Sequence, residues 1–223
     1  MNHNRHTERL AAGGLFIAAL LWGVSYPATK IVETYPTFYI LPLRFLIASL
    51  ILAVLFRKHF KNLNFRTLKQ AFLLSFFITG MYVFSTVGIK YTISARASFF
   101  TCLTFVIVPI LNLVLFRIRI SAVIVRSILI CFFGVLLLSY APGSVGLSLN
   151  YGDILCIIAS LAGSLHIVFL GRISSEENYD PMLFTALLMM FTALWTTGAG
   201  VVTGSFSKIS ITPLHLGTII FLG

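Results

Sequence analysis

An all-α integral membrane protein is the fold class this sequence predicts, and three observations carry the expectation. Of the 223 residues, 58% are hydrophobic and only 10% charged, whereas a soluble domain has about 25% charged residues. The mean hydropathy is +0.99, which is more apolar surface than one soluble core hides. Long runs such as LIASLILAVLF (46–56) also lack the alternation of apolar and polar residues that strands of a membrane barrel need. Helices follow.

A hydrocarbon core about 30 Å thick needs roughly 20 apolar helical residues, and the chain divides accordingly. The first span, 13–33, comes after Arg5 and Arg9; no small-x-small cleavage site follows it, so it reads as a span and not as a signal peptide. The second is 37–56, and the basic stretch RKHFKNLNFRTLK separates it from the third, 68–88. The fourth, 95–116, ends before RIRI; the fifth, 120–140, before APGSVGLSLN; the sixth, 152–171, before RISSEENYDP. A seventh covers 182–203, and an eighth opens near Leu214.

The formal charge of +10 does not point to nucleic acid. The basic residues gather in short stretches between apolar runs, with no motif that reads DNA or RNA. They act as topology signals. With the N-terminus inside, the inner segments hold ten lysines and arginines (Arg5, Arg9, Arg57, Lys58, Lys61, Arg66, Lys69, Arg117, Arg119, Arg172) and the outer ones four (Lys30, Lys90, Arg96, Lys208), which favours a cytoplasmic N-terminus. The inner loops face anionic lipid headgroups. Cys102, Cys131 and Cys156 all lie in apolar runs without zinc or redox spacing. No disulfide, metal, cofactor or catalytic residue is assigned.

The chain also resembles itself. ALLWGVSYPATK (19–30) aligns with ASLAGSLHIVFL (159–170), and PTFYILPLRFLIASL (36–50) with PMLFTALLMMFTALW (181–195). Span one then matches span six, and span two span seven. Five spans per unit is an odd number, so the second unit is inverted relative to the first. The charges agree, because RKHFKNLNFRTLK faces inside while its counterpart GSFSKISITP faces outside with one lysine.

ALLWGVSYPATKI, LRFLIASLIL (43–52), VGIKYTISARASFFTCLTFVIVPIL (87–111), RSILICFFGVLLLS (126–139) and GDILCIIASLAGSLHIVFLGRIS (152–174) resemble, in order and spacing, the EamA-type branch of the drug/metabolite transporter superfamily, from about residue 11 to 203. The resemblance implies a ten-helix carrier of two inverted five-helix repeats that moves small metabolites, often amino acids outward, through a central cavity. On that frame 1–12 is a cytoplasmic N-terminus, 13–140 the first repeat, 141–151 an extracytoplasmic linker and 152–223 an incomplete second repeat. Members commonly carry a glutamate just after span four, where this chain has FRIRI around Arg117. Three further spans would take roughly 75 residues, so the expectation is a carrier interrupted in its second half.

The candidate site starts from Pro27. Its ring removes a backbone N–H and frees the carbonyl of Gly23, a defect that survives in a membrane only where protein or a wet cavity answers it. Pro42 and Pro109 do the same to Phe38 and Phe105. Trp22, Ser25, Tyr26 and Thr29, at i, i+3, i+4 and i+7, share one helix face, the expected first wall of the cavity. Arg44, Tyr82, Thr101, Asn112, Ser164 and His166 complete the candidate set; hydroxyl, amide and aromatic groups orient a small amphiphile without strong retention. For each, a packing or back-bonding role stands beside the binding one. Arg44 either holds a substrate carboxylate or bonds freed carbonyls such as that of Phe38. His166 either titrates with transport or bonds a neighbouring helix, while Ala159 and Gly163 make a packing groove.

Two other classes compete with the carrier. An intramembrane hydrolase would need Ser164 to reach His166, but two residues apart they point to different helix faces, with no G-x-S-x-G elbow. A non-transporting structural or regulatory membrane protein is the other. Without spans nine and ten the cavity opens to lipid unless two chains combine as a homodimer.

Overall fold

The computed structural model describes the backbone of residues 2–139, 149–206 and 213–222. The expected linker 141–151 and the GSFSKISITP segment fall mostly outside these residues. The described chain is helical: α1 Asn2–Ile31, α2 Thr37–Leu55, a 3-10 turn His59–Asn62, α3 Phe65–Tyr91, α4 Ser94–Cys102, α5 Thr104–Phe116, α6 Ala122–Ser139, α7 Tyr151–Ile173, α8 Pro181–Val202 and α9 Pro213–Leu222. Among the described residues six stretches are long and apolar enough to cross a membrane, namely 12–31, 37–55, 65–91, 94–116, 151–173 and 181–202.

Local chemistry sets the helix limits. Asn64 caps α3 by accepting from the Thr67 N–H at 2.7 Å, so that helix begins three residues before the apolar run suggests. Asn150 and Asp153 form a capping box on α7. Asp180 accepts from the N–H groups of Met182 and Leu183 at the start of α8, with Pro181 at the first helical position, where its missing N–H is harmless. Helix α5 closes at Arg117, whose φ of 55° is left-handed. Its N–H donates to the Leu113 carbonyl, and the Ile118 N–H to that of Asn112, a Schellman-type end built without glycine.

The fourth span is one membrane-crossing stretch, 94–116, whose helix is interrupted at Leu103. There the Leu103 N–H bonds the Phe100 carbonyl in a tighter i−3 pattern, and the Thr104 hydroxyl donates to the Thr101 carbonyl at 2.8 Å, competing with regular helix bonding. Helix α1 runs through Pro27. The Ser25 hydroxyl donates to Trp22 O at 2.6 Å and Thr29 to Ser25 O at 2.7 Å, bracketing the defect with extra bonds. At Pro42 the answer comes from packing. The freed carbonyl of Phe38 lies against Gly200 of α8, where a Cβ would come within 2.6 Å of it.

The loops alternate between two ends of the bundle. One, here the basic end, carries 56–64, 117–121 and 174–180; the opposite end carries 32–36, 92–93 and 149–150. Helices α3 and α7 pack closely, and so do α2 and α8. Ala71, Leu74, Leu183, Phe184, Leu187 and Leu188 make the main core at the basic end. At the opposite end, α3 and α7 meet through glycines: a Cβ on Gly152 would lie 2.5 Å from the Gly88 carbonyl oxygen, the close backbone approach that small residues allow. Met81 fills the notch at Gly163, and Ala159 beside it is fully buried.

Helix α3 packs on α7 and α8, while α9 packs on α1 and α2. Exchanging α1 with α7, α2 with α8 and α3 with α9 turns one set of contacts into the other.

Candidate substrate-binding site

Trp22, Ser25, Tyr26 and Thr29 of α1, Arg44 of α2, Met81, Tyr82, Ser85, Thr86 and Ile89 of α3, and Thr101 of α4 line one recess. Its empty volume is about 390 Å³ including the part open to the outside, and its enclosed part has room for one or two waters. Counted at 1.5 Å per residue, all these groups lie within about 15 Å of the helix termini at the opposite end. The recess therefore reaches from that end to the middle of the bundle.

The structure brings seven of the ten candidate residues into this recess: Trp22, Ser25, Tyr26, Thr29, Arg44, Tyr82 and Thr101. Asn112, Ser164 and His166 are not among its lining. Depth separates them, since they stand roughly 20 Å or more along their helices from the same end. The fully buried Ser164 donates to the Ser160 carbonyl at 2.6 Å, and His166 Nδ1 lies 3.5 Å from the Leu74 carbonyl of α3. Asn112 serves α5 through its backbone carbonyl, which accepts from Ile118. Met81, Ser85 and Ile89 were not foreseen. Met81 and Ile89 carry no polar signal, although Ser85 and Ile89 follow Tyr82 at i+3 and i+7 and were open to the same helical spacing.

Hydroxyl protons in the recess are mostly spent on the helices themselves. Ser25, Thr29, Ser85 and Thr101 donate to the carbonyls of Trp22, Ser25, Tyr82 and Ala97, so what they offer a ligand is lone pairs. Tyr26 meets Thr101 through its hydroxyl and packs against Ile89, Ala97 and Cys156. Arg44 behaves differently. Its Nε donates to the Leu222 carbonyl at 2.6 Å, not to Phe38, and its guanidinium lies 5.0 Å from the centre of the Tyr82 ring.

Ion pairs sit at both ends. Lys30 pairs with Glu33 at 2.5 Å and donates to the Ile89 carbonyl at 2.8 Å, so it ties α1 to the end of α3 and does not simply reach outward. Lys90 returns the link by donating to the Tyr35 carbonyl at 2.6 Å. Beside them Asp153 accepts from Arg96 and from Thr92. At the basic end Arg66 pairs with Glu176 and His59 with Asp180, each at 2.7 Å. Among the described residues no group of three His, Cys, Asp or Glu could hold a metal ion.

Comparisons with known proteins agree with this architecture. The model of the EamA-like transporter family matches residues 9–140, more than half of the chain. A protein of Archaeoglobus fulgidus named "Uncharacterized transporter" is 26% identical over 210 residues, covering 94% of this chain and 61% of its own length. A second protein of that organism and name is 30% identical over 178 residues, covering 79% and 62%. The chain thus spans about three-fifths of the length of the curated relatives it matches.

Proposed function

This chain belongs to the EamA-like transporter family, and from that premise we propose that it serves as a secondary carrier of small metabolites, amino acids or related compounds, exporting them across the cytoplasmic membrane. One observation carries the reading: a polar and aromatic recess reaches the middle of an apolar helical bundle, with the cation Arg44 in its wall. Intramembrane ionisable groups that face a cavity mark solute pathways. The excess of basic residues around 57–69 and 117–119 supports a cytoplasmic N-terminus. On this orientation the recess approaches the outer face. The exchange of contacts between α1–α3 and α7–α9 supports two inverted repeats, with 13–140 as the first and 152–223 within the second, rocking about a midplane site.

Flux decides between carrier and structural protein. Reconstituted in liposomes, the protein is expected to move radiolabelled amino acids or their derivatives faster than empty liposomes do. Tyr26→Ala is expected to slow this about tenfold, the equivalent of one lost contact of about 1.4 kcal/mol. Flux equal to that of empty liposomes, from protein that is folded and monodisperse, overturns the carrier reading.

A further inference from the structure

Arg44 is a cation in the wall of a recess whose lining contains no acidic residue. Its guanidinium keeps its proton in any protein environment, so the positive charge persists in the bundle interior, where charge is expensive unless paired or hydrated. Among the described residues no carboxylate pairs with it. Its hydrogen bond is to the Leu222 carbonyl through Nε, and its ring contacts are to Tyr82 and Phe45. The guanidinium has five N–H donors, so among the described residues that bond leaves both terminal nitrogens for another acceptor.

No carboxylate of the described chain is placed to balance that charge. The acids of the sequence are Glu8, Glu33, Asp153, Glu176, Glu177 and Asp180, and α2 to α6 contain none. Glu33 is held by Lys30, Asp153 by Arg96, Glu176 by Arg66 and Asp180 by His59, all at the ends of the bundle. The hydroxyl protons of Ser25, Thr29, Ser85 and Thr101 already point at helix carbonyls, while Trp22, Tyr26, Tyr82 and Thr86 add only neutral donors to the lining. An anion entering the recess therefore finds its charged donor in Arg44, which suits the paired oxygens of a carboxylate. A positively charged group entering it meets Arg44 with no carboxylate to balance the repulsion.

Resting on the carrier reading above, we propose that the recess selects its solute by charge, taking the carboxylate of a small organic anion on Arg44 in preference to uncharged or cationic molecules of the same shape. Within amino-acid-like compounds this favours those that carry a net negative charge. The aromatic faces of Trp22, Tyr26 and Tyr82 line the same space, so a flat apolar body attached to the carboxylate has surface to pack on once the recess, which encloses room for only one or two waters, widens to admit it.

Three probes of one shape test this. Benzoate, benzamide and benzylamine share a ring and differ in charge, and equilibrium dialysis of the radiolabelled compounds against the purified protein in neutral detergent, corrected for protein-free micelles, gives their binding at pH 7. Benzoate is expected to bind at least about tenfold more tightly than benzamide, and benzylamine more weakly still. Arg44→Gln is expected to bring benzoate down to the level of benzamide, and Arg44→Lys, which keeps the charge but not the fork, to retain a preference for benzoate. Equal binding of the three probes by the wild type, no binding of benzoate, or a benzoate preference that survives Arg44→Gln would each overturn the proposal. The wild-type comparison needs no variant to fold. The carrier reading fails separately: protein that moves solutes in liposomes but ignores probe charge loses only the charge selection, whereas benzoate preference without flux leaves the binding site and removes the carrier.

Discussion

At the end opposite the basic loops the Asp153 side chain is 0% exposed and its partner Arg96 14%, whereas at the basic end Glu176 is 34% exposed and Arg66 73%. Both are arginine–carboxylate pairs that join α7 or its following loop to an earlier part of the chain. They differ in surroundings. Asp153 also accepts from Thr92 at 2.8 Å and from the Asn150 N–H at 3.0 Å, so its charge is answered on several sides. Glu176 accepts from Arg66 and from Gln70 at 2.8 Å within reach of water. Removing one partner of a buried pair strands the other, while an exposed pair replaces what water already provides. The recess lies toward the end that carries the buried network, so the proposed solute site and the buried ion pair share one half of the molecule.

The largest expected effect breaks this comparison at its strong side. Asp153→Ala removes the anion facing Arg96 together with half of the α7 capping box, and a loss of about 3–5 kcal/mol is expected from the broken buried pair. Thermal unfolding in detergent reads it. Asp153→Asn keeps an acceptor for the Asn150 N–H while losing the charge, and is expected to fall between alanine and wild type. If Asp153→Ala lowers the midpoint no further than Arg66→Ala does, burial is not what distinguishes the two ends.

Backbone contact gives the next effect. Gly152→Ala would push a Cβ to 2.5 Å from the Gly88 carbonyl oxygen and 2.8 Å from the Tyr91 carbonyl carbon, and α3 and α7 must part to admit it. Overpacking of this kind costs about 1–3 kcal/mol. Gly171, on the same helix near the basic end, has nothing within 4 Å of its would-be Cβ, and Gly171→Ala is expected to stabilise by up to about 1 kcal/mol through helix propensity. Opposite signs for two glycines of one helix would sharpen the contrast; equal signs would remove it.

How much of this was legible in the sequence depends on the kind of signal. The spans were, because length and apolarity are properties of each segment alone, and ends such as Asn150 and Asp153 follow from local cap chemistry. The interruption at Leu103 was not, since it arises from hydroxyls of Thr101 and Thr104 choosing nearby carbonyls over regular bonding. The Trp22, Ser25, Tyr26 and Thr29 face was readable from helical spacing, and the structure places it on the recess. Polarity inside a span says only that a residue avoids lipid. For that reason His166 and Ser164 entered the candidate set although they bond within the bundle at another depth. The pairing of Arg96 with Asp153 spans 57 positions and left no trace in either segment alone.

A smaller effect separates capping from charge at the basic end. Asp180 holds the first turn of α8 and the His59 ring together. Desolvation pushes its carboxyl upward, but the His59 hydrogen bond, the N–H groups of Leu183 and Met182 and the His59 charge together outweigh it and leave the group below its ordinary value. A depressed carboxylate gives stability that is present above the unfolded value near 3.9 and disappears as pH falls through the folded one. Asp180→Ala is expected to lose about 1 kcal/mol at pH 7, the usual worth of an N-cap, and to flatten the acid limb of a midpoint-against-pH curve. An unchanged acid limb would assign the midpoint's acid sensitivity to other groups.

The weakest effect is expected from Arg66→Ala. Glu176 keeps Gln70 and solvent when the guanidinium goes, and an exposed pair is worth about 0–1 kcal/mol. Added salt separates the two ends without further mutation. Raising ionic strength toward 1 M shortens the Debye length to about 3 Å, which should erase what remains of the Arg66 contribution. The cost of Asp153→Ala should persist in the same buffer, because the charges it disturbs are shut away from the ions. If salt rescued Asp153→Ala as fully as it hides Arg66→Ala, water and ions would have to reach the α3–α7 junction, and the half of the bundle that holds the recess would be the open one.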